Sequence, residues 1–413
     1  MRPERCPRHP AFASEEPIKL LQINSVYNTG STGRIVEGIA AVARERGHRA
    51  WAAFGRKWQP GATETYQISN PVDYLAHGIY SLALDSHGLG SVGATKRFLR
   101  WMDDIQPDLV GLHNLHGYYL NLPLLFAFLR RSRIPIIWTL HDCWSFTGHC
   151  SYFDRFNCRK WQTECHDCPM TGYYPRSLVD RSTRNHRLKK EMLTGIERLV
   201  IVTPSEWLAA HVSASFLSDY PVHVIPNGID LERFRIVGKR AREVIVLGVA
   251  NRWGARKGFA DFIKLRSKIP AEWRIVLVGL NPAEKRRLPE NIEGLSRTES
   301  VEELVRLYSQ ATVYVNPTYA DNFPTTNIEA LACGTPVVTY RTGGSPEAIT
   351  EGCGAVVEAG DIDGLAKAIK QYAAMEQGAV RAQCRDRAER EYSDVSRDGD
   401  YVELCEALVS GNS

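Results

Sequence analysis

No stretch of the sequence offers the about 18 consecutive apolar residues that a membrane-spanning helix requires. The longest candidate, 120–129, contains Asn121 and Pro123 and stops at Arg130-Arg131. The opening residues, MRPERCPRHPAFASEEP, lack the apolar stretch of a secretory signal, so 1–17 is expected to be a disordered leader. Charge of one sign is also scarce: 51 Lys and Arg against 47 Asp and Glu leave +4. That is too little for a dedicated nucleic-acid binder, and no nucleic-acid partner is expected. It suits small anionic ligands or an anionic membrane surface. Cysteine is thin outside one stretch, with five of the ten (Cys143, Cys150, Cys158, Cys165, Cys168) close together. Without an export signal a cytoplasmic location with reduced thiols is expected, reaching to the inner face of the cytoplasmic membrane.

What is there is an ordinary globular composition, 44% hydrophobic and 24% charged, which excludes a disordered chain, a collagen and a small disulfide scaffold. At roughly 150 residues per domain, 413 residues make two to three domains. Strand-like runs at 18–27, 49–54, 108–113, 135–141, 198–205 and 222–228 alternate with helical patterns at 35–47, 95–103 and 122–131. A second series starts at 243–250 and continues with strands at 273–280, 312–318 and 336–340 and helices at 259–269, 301–311 and 327–334. Such alternation predicts α/β lobes built on doubly wound parallel sheets. The expected division is 18–228, 229–390 and a helical tail over 391–413.

Three segments carry residue types suited to chemistry. Asn28-Thr29-Gly30-Ser31-Thr32-Gly33-Arg34 follows the first strand, and its glycines let the backbone approach an anion at a helix start. It is G-x-x-G, without a Walker lysine. The loop 251–258 opens the second lobe with Arg252, Arg256 and Lys257 at a strand's carboxyl end, where doubly wound sheets bind ligands and where guanidinium and ammonium groups grip phosphate. Asp321 and Glu329 stand eight residues apart around a predicted helix start at Pro324-Thr325-Thr326. Carboxylates so placed accept hydrogen bonds from sugar or ribose hydroxyls.

Together these motifs resemble the retaining glycosyltransferases of family 4. The pattern R-x4-K-G appears as Arg252…Lys257-Gly258, and E-x7-E as Asp321…Glu329, with IPNGID at 225–230 and TGGSPE after the carboxylates. The resemblance covers about 18–405 and implies a GT-B fold, two Rossmann-like domains facing a central cleft. It implies transfer with retention from a nucleoside diphosphate sugar to a glycan or polyprenyl-linked acceptor, in bacterial surface polysaccharide synthesis, with no catalytic metal. Arg252 and Lys257 would hold the diphosphate, Glu329 the ribose, and Asp321, where the family more often has Glu, the sugar. Gly30, Ser31, Thr32, Gly33, Arg34, Asn322, Phe323, Pro324 and Thr325 would complete the donor site. His141 would face the transferred sugar. A nucleotide-sugar epimerase, a phosphorylase or a non-catalytic carbohydrate- or nucleic-acid-binding module are the competing readings.

The stretch 143–169 reads as a cysteine-rich insertion. Cys150, Cys158, Cys165 and Cys168, spaced C-x7-C-x6-C-x2-C, suit a structural zinc, with His149 or His166 as substitutes; two disulfides or free thiols are the other readings. The segment also resembles the exopolysaccharide and colanic-acid variant of the family. Basic runs around Lys96–Arg100, Arg130–Arg133 and Arg181–Lys190, with interleaved aromatics, suit peripheral membrane contact or a solvated face.

Overall fold

The computed structural model describes residues 16–411, so the expected leader lies outside the described residues but for its last two positions. The first lobe runs β1 (Lys19–Tyr27), α1 (Gly30–Glu45), β2 (Arg49–Trp58), β3 (Glu64–Gln67), α2 (Pro71–Leu84), α3 (Val92–Ile105), β4 (Leu109–Leu112), α4 (Leu122–Ser132), β5 (Ile136–Thr139), α5 (Ser182–Leu193), β6 (Leu199–Thr203), α6 (Glu206–Ser213) and β7 (Val222–Val224). Its strands are parallel, in the order β3-β2-β1-β4-β5-β6-β7. β4, β5 and β6 are short and wholly buried, as strands covered on both faces must be.

The second lobe runs β8 (Ile245–Val249), α7 (Phe259–Leu265), β9 (Arg274–Val278), α8 (Pro282–Lys285), β10 (Ile292–Leu295), α9 (Val301–Gln310), β11 (Val313–Asn316), α10 (Thr325–Ala332), β12 (Val337–Tyr340), β13 (Gly354–Val357), α11 (Ile362–Ala374), α12 (Gln377–Glu391) and α13 (Asp394–Ser410). Its parallel sheet has the order β10-β9-β8-β11-β12-β13. In each sheet the winding reverses beside the first strand, between β1 and β4 and between β8 and β11. That reversal opens a crevice at the strands' carboxyl ends. The two doubly wound sheets expected from the alternation are both present.

Three features depart from the sequence reading. The glycine loop is the first turn of α1 rather than a loop, because Gly33 lies against β1: a Cβ there would sit 3.0 Å from the Asn28 nitrogen. The expected tail, α13, is no appendage. Tyr401, Val402, Cys405 and Leu408 pack with Leu20, Ile39, Ala43 and Val200 in the first lobe. The aromatics between the α3 cations point inward: Phe98 is fully buried and Trp101 stacks on Tyr66 at 4.5 Å. Arg130 likewise serves the fold, donating to the carbonyls of Met192, Thr194 and Gly195 at the end of α5.

Candidate functional site

The crevices of the two sheets face each other. On the second lobe, Lys257 follows β8 and forms an ion pair with Asp321, which follows β11; Arg256 stands 3.9 Å from the same oxygen, Oδ2. Arg252 is exposed in the same loop. Gly343 must be glycine: its φ is +55°, and a Cβ would lie 1.7 Å from the Asp321 carbonyl oxygen. Glu329, one turn into α10, is buried and accepts from Tyr308 Oη at 3.0 Å. Burial pushes its carboxyl up, against the Tyr308 hydrogen bond and the positive charge of Arg34, which reaches it from α1 of the first lobe. The resemblance put Arg34 and Glu329 in one site, and the fold brings them within electrostatic range.

On the first lobe, two strands end in histidines. His141, after β5, meets His113, after β4, with Nε2 3.2 Å from the latter's Nδ1, and His113 Nε2 is 3.1 Å from Gln22 Oε1 on β1. Burial lowers His141 to about 4, although Asp142 pulls the other way, so the ring is neutral at pH 7. Asp142 is 2.8 Å from His116 Nε2, and His116 Nδ1 is 3.0 Å from Tyr174 Oη. Burial works to raise the Asp142 carboxyl, but His116 and the Trp144 N–H outweigh it and hold it low.

Between the lobes lies a cleft of about 1040 Å³. Asp142, Tyr152, Asp154 and Tyr174 line it on one side, Arg256, Lys264 and Arg341 on the other. Arg256 lies over the Tyr152 ring at 5.3 Å, so the cysteine-rich insertion supplies part of the first-lobe wall. Burial raises Asp154 to about 6.

Two of the expected donor residues have other duties. Asn322 spans the lobes, its Oδ1 2.5 Å from Ser205 Oγ and its Nδ2 3.5 Å from the Leu140 carbonyl. Phe323 packs in the second-lobe core against Tyr392. Ser31, Thr32, Pro324 and Thr325 stand at the starts of α1 and α10. The sequence reading passed over His113, His116 and Asp154. It also passed over Glu347, whose carboxylate accepts from the Glu206 and Trp207 N–H groups at 2.9 and 2.8 Å and so caps α6 from the opposite lobe. The legible signal was the second strand-end histidine, since 108–113 and 135–141 close alike.

The zinc expectation finds no support. Cys150, Cys158, Cys165 and Cys168 line one small cavity. Yet among the described residues no group of three or more His, Cys, Asp or Glu side chains is placed to hold a metal ion. Their polar needs are met otherwise: Cys150 is hydrogen-bonded to Cys168, pulling the Cys168 thiol down to about 7, and Cys165 accepts from the Gly148 N–H at 3.2 Å. His149 gives Nδ1 to Asp85 at 2.6 Å, and His166 is exposed.

Residues 32–233 match the family model for glycosyltransferase family 4, and 231–391 that for group 1 glycosyl transferases. The chain belongs to these glycosyltransferases. A putative colanic acid biosynthesis glycosyl transferase of Escherichia coli K12, WcaC, is 25% identical over 331 residues, 73% of this chain and 77% of that one. Sucrose-phosphate synthase from Thermosynechococcus elongatus matches the glycosyltransferase's fold with a TM-score of 0.71 at 18% identity, over 95% of this chain and all of that one. Anabaena Alr3699/HepE, solved with UDP, gives 0.65 at 15%, over 94% and 100%. The fold is GT-B. No helix among the glycosyltransferase's described residues is long and apolar enough to cross a membrane.

Proposed function

We propose that this glycosyltransferase moves a sugar, with retention, from a nucleoside diphosphate sugar to a glycan or polyprenyl-linked acceptor in surface polysaccharide assembly. The observation that carries the reading is the charge of Arg34, on the first lobe, reaching Glu329 on the second, the lobe that also holds the Lys257–Asp321 ion pair. Arg252 and Lys257 bind the diphosphate and stabilise the charge that grows on the leaving nucleotide, as preorganised cations do. Both cations near Asp321 meet Oδ2, which leaves Oδ1 to accept from a sugar hydroxyl. Glu329 accepts from the ribose. His141, neutral and steered by His113, offers a hydrogen bond to the transferred sugar. The acceptor enters along the first-lobe wall at Tyr152, Asp154 and Tyr174.

The relatedness to WcaC and the HepE structure solved with UDP-glucose support a nucleotide-sugar donor and a role in polysaccharide synthesis. A thermal-shift panel of GDP-mannose, GDP-fucose, UDP-glucose and UDP-galactose tests this. One donor is expected to raise Tm above the rest by mass action, and the same donor to label a glycan acceptor. A flat panel, with no transfer from any donor, would overturn the reading.

A further inference from the structure

One chain of hydrogen bonds in the cleft has no part in holding the donor. It runs from Asp142, after β5, through His116, after β4, to Tyr174, in the loop that leads to α5. Both ends line the cleft, and the imidazole joins them. The direction of each bond follows from the charge on Asp142. Burial works to raise that carboxyl, but His116 and the Trp144 N–H hold it low, so at pH 7 it is a carboxylate and can only accept. Its Oδ1 accepts from the Trp144 N–H at 2.9 Å, which fixes the group, and Oδ2 faces His116 Nε2 at 2.8 Å. His116 Nε2 therefore carries a hydrogen. In the neutral ring Nδ1 is then bare, and it accepts from Tyr174 Oη at 3.0 Å. Tyr174 spends its one hydrogen on the ring, and its oxygen offers a lone pair to the cleft. A lone pair accepts from a hydroxyl, and a sugar acceptor attacks through a hydroxyl.

The mount is stiff. The His116 and Asp142 side chains are each 12% exposed. The Tyr174 ring meets the His116 and His87 rings at 5.7 Å, and His87 is itself fixed by the Gly117 N–H, which donates to Nε2 at 3.1 Å. Burial pushes the Tyr174 hydroxyl up, so it gives a proton to the ring only as it receives another. Tyr152 links this chain to the opposite lobe. Burial raises its hydroxyl, as do the charges of Asp321 from one side and Asp142 from the other, against Arg256.

We infer that Tyr174 receives the attacking hydroxyl of the acceptor and that His116, braced by Asp142, takes up the proton the hydroxyl loses. The inference rests on the transfer reading and adds a base to it. The acceptor oxygen bonds to the anomeric carbon as the bond from that carbon to the donor phosphate breaks, its electron pair leaving with the nucleoside diphosphate. The acceptor proton moves to Tyr174 Oη while the tyrosine's own proton moves to His116 Nδ1. His116 is then a cation against the Asp142 carboxylate, and the proton passes back through Tyr174 to water once product has left. The order hydroxyl, imidazole, carboxylate is that of a hydrolytic triad, with the hydroxyl a carrier of protons and not a nucleophile.

The test is nucleoside diphosphate release from UDP-glucose, UDP-galactose, GDP-mannose and GDP-fucose, with water as the acceptor, in H2O and in D2O. Wild type is expected to turn over one donor, more slowly in D2O. Tyr174→Phe and His116→Gln are expected to lower kcat at least about 100-fold, with the donor Kd unchanged by calorimetry and the D2O effect gone. Asp142→Asn, which can present an amide N–H to Nε2 and so favour the other tautomer, is expected to lose turnover likewise. Histidine-selective 15N spectra at mildly alkaline pH read the chain without turnover. His116 Nδ1, assigned with His116→Gln, is expected to be unprotonated and to shift in Tyr174→Phe. A protonated Nδ1, wild-type kcat in the variants, or a loss of turnover that follows a loss of donor affinity overturns the relay alone. No release from any donor by wild type overturns the transfer reading, and the relay with it.

Discussion

Lys257 and Glu329 touch different parts of the proposed donor, so they should fail differently. Lys257→Ala removes the ammonium that opposes developing charge and is expected to cut turnover by about 100-fold or more, as loss of one preorganised donor does. Glu329→Ala should raise the donor KM more than it lowers kcat. Both should stay folded by circular dichroism, and a folded variant with wild-type kinetics would remove that residue from the site. Asp154 supplies a pH test. A carboxyl raised to about 6 in the fold, against about 3.9 unfolded, favours folding while protonated. That contribution is full below about pH 4 and is lost as pH rises through about 6. Asp154→Asn should therefore leave Tm unchanged near pH 4 and raise stability at pH 7.5, by at most about 3 kcal/mol. An equal shift at both pH values would contradict the assignment.

Among the elements, the insertion is the one least like regular structure. It is built of short 3₁₀ turns, at Trp144–Phe146, Asp154–Phe156 and Lys160–Gln162. The Phe153 and Trp161 rings stack at 4.9 Å inside it. Lys189 on α5 pins it from beneath: the buried ammonium donates to the Trp144 and Thr147 carbonyls at 2.6 and 3.0 Å, and lies 3.4 Å from the Trp144 ring centre. Lys189→Met would leave those carbonyls without a donor and is expected to destabilise by about 1–3 kcal/mol, with faster proteolysis within 143–169. Unchanged denaturant midpoint and proteolysis would show that the pin is dispensable. Such ties were not legible in the sequence, where Lys189 was one cation of a basic run. The strands were legible because buried parallel strands are continuous apolar runs, and β8 and β11 could be placed from composition alone. Helix α2 was missed for the opposite reason: with its apolar face outward, its pattern did not announce a helix packed on a core. The motif residues Lys257, Asp321 and Glu329 were legible because each follows a recognisable strand or opens a helix. Glu347 was not, since it acts on the N–H groups of Glu206 and Trp207, far away in the chain.

Across the whole molecule, the polypeptide passes between the lobes twice, at 225–229 and 391–394. The two passages run side by side: Ile229 N–H donates to the Tyr392 carbonyl at 2.8 Å, and Asp394 N–H to the Ile229 carbonyl at 3.1 Å. A doubled connection restrains twisting and leaves opening about one axis. Glu347 closes that axis by capping α6 across the gap. Glu347→Ala is expected to lose about 1 kcal/mol of the closed state, shifting the open-to-closed ratio about fivefold. Small-angle scattering should show a larger radius of gyration and calorimetry a weaker donor Kd; neither changing would remove Glu347 from closure.

The return of α13 to the first lobe also sets an order of events during synthesis. The sheet of that lobe is finished when β7 leaves the ribosome, but the groove that Tyr401, Val402, Cys405 and Leu408 will fill stays bare while the entire second lobe is translated. At about 5–20 residues per second, that interval is on the order of ten seconds or more. The nascent first lobe must stay soluble through it with part of its apolar surface uncovered, until a helix translated after the whole second lobe seals it.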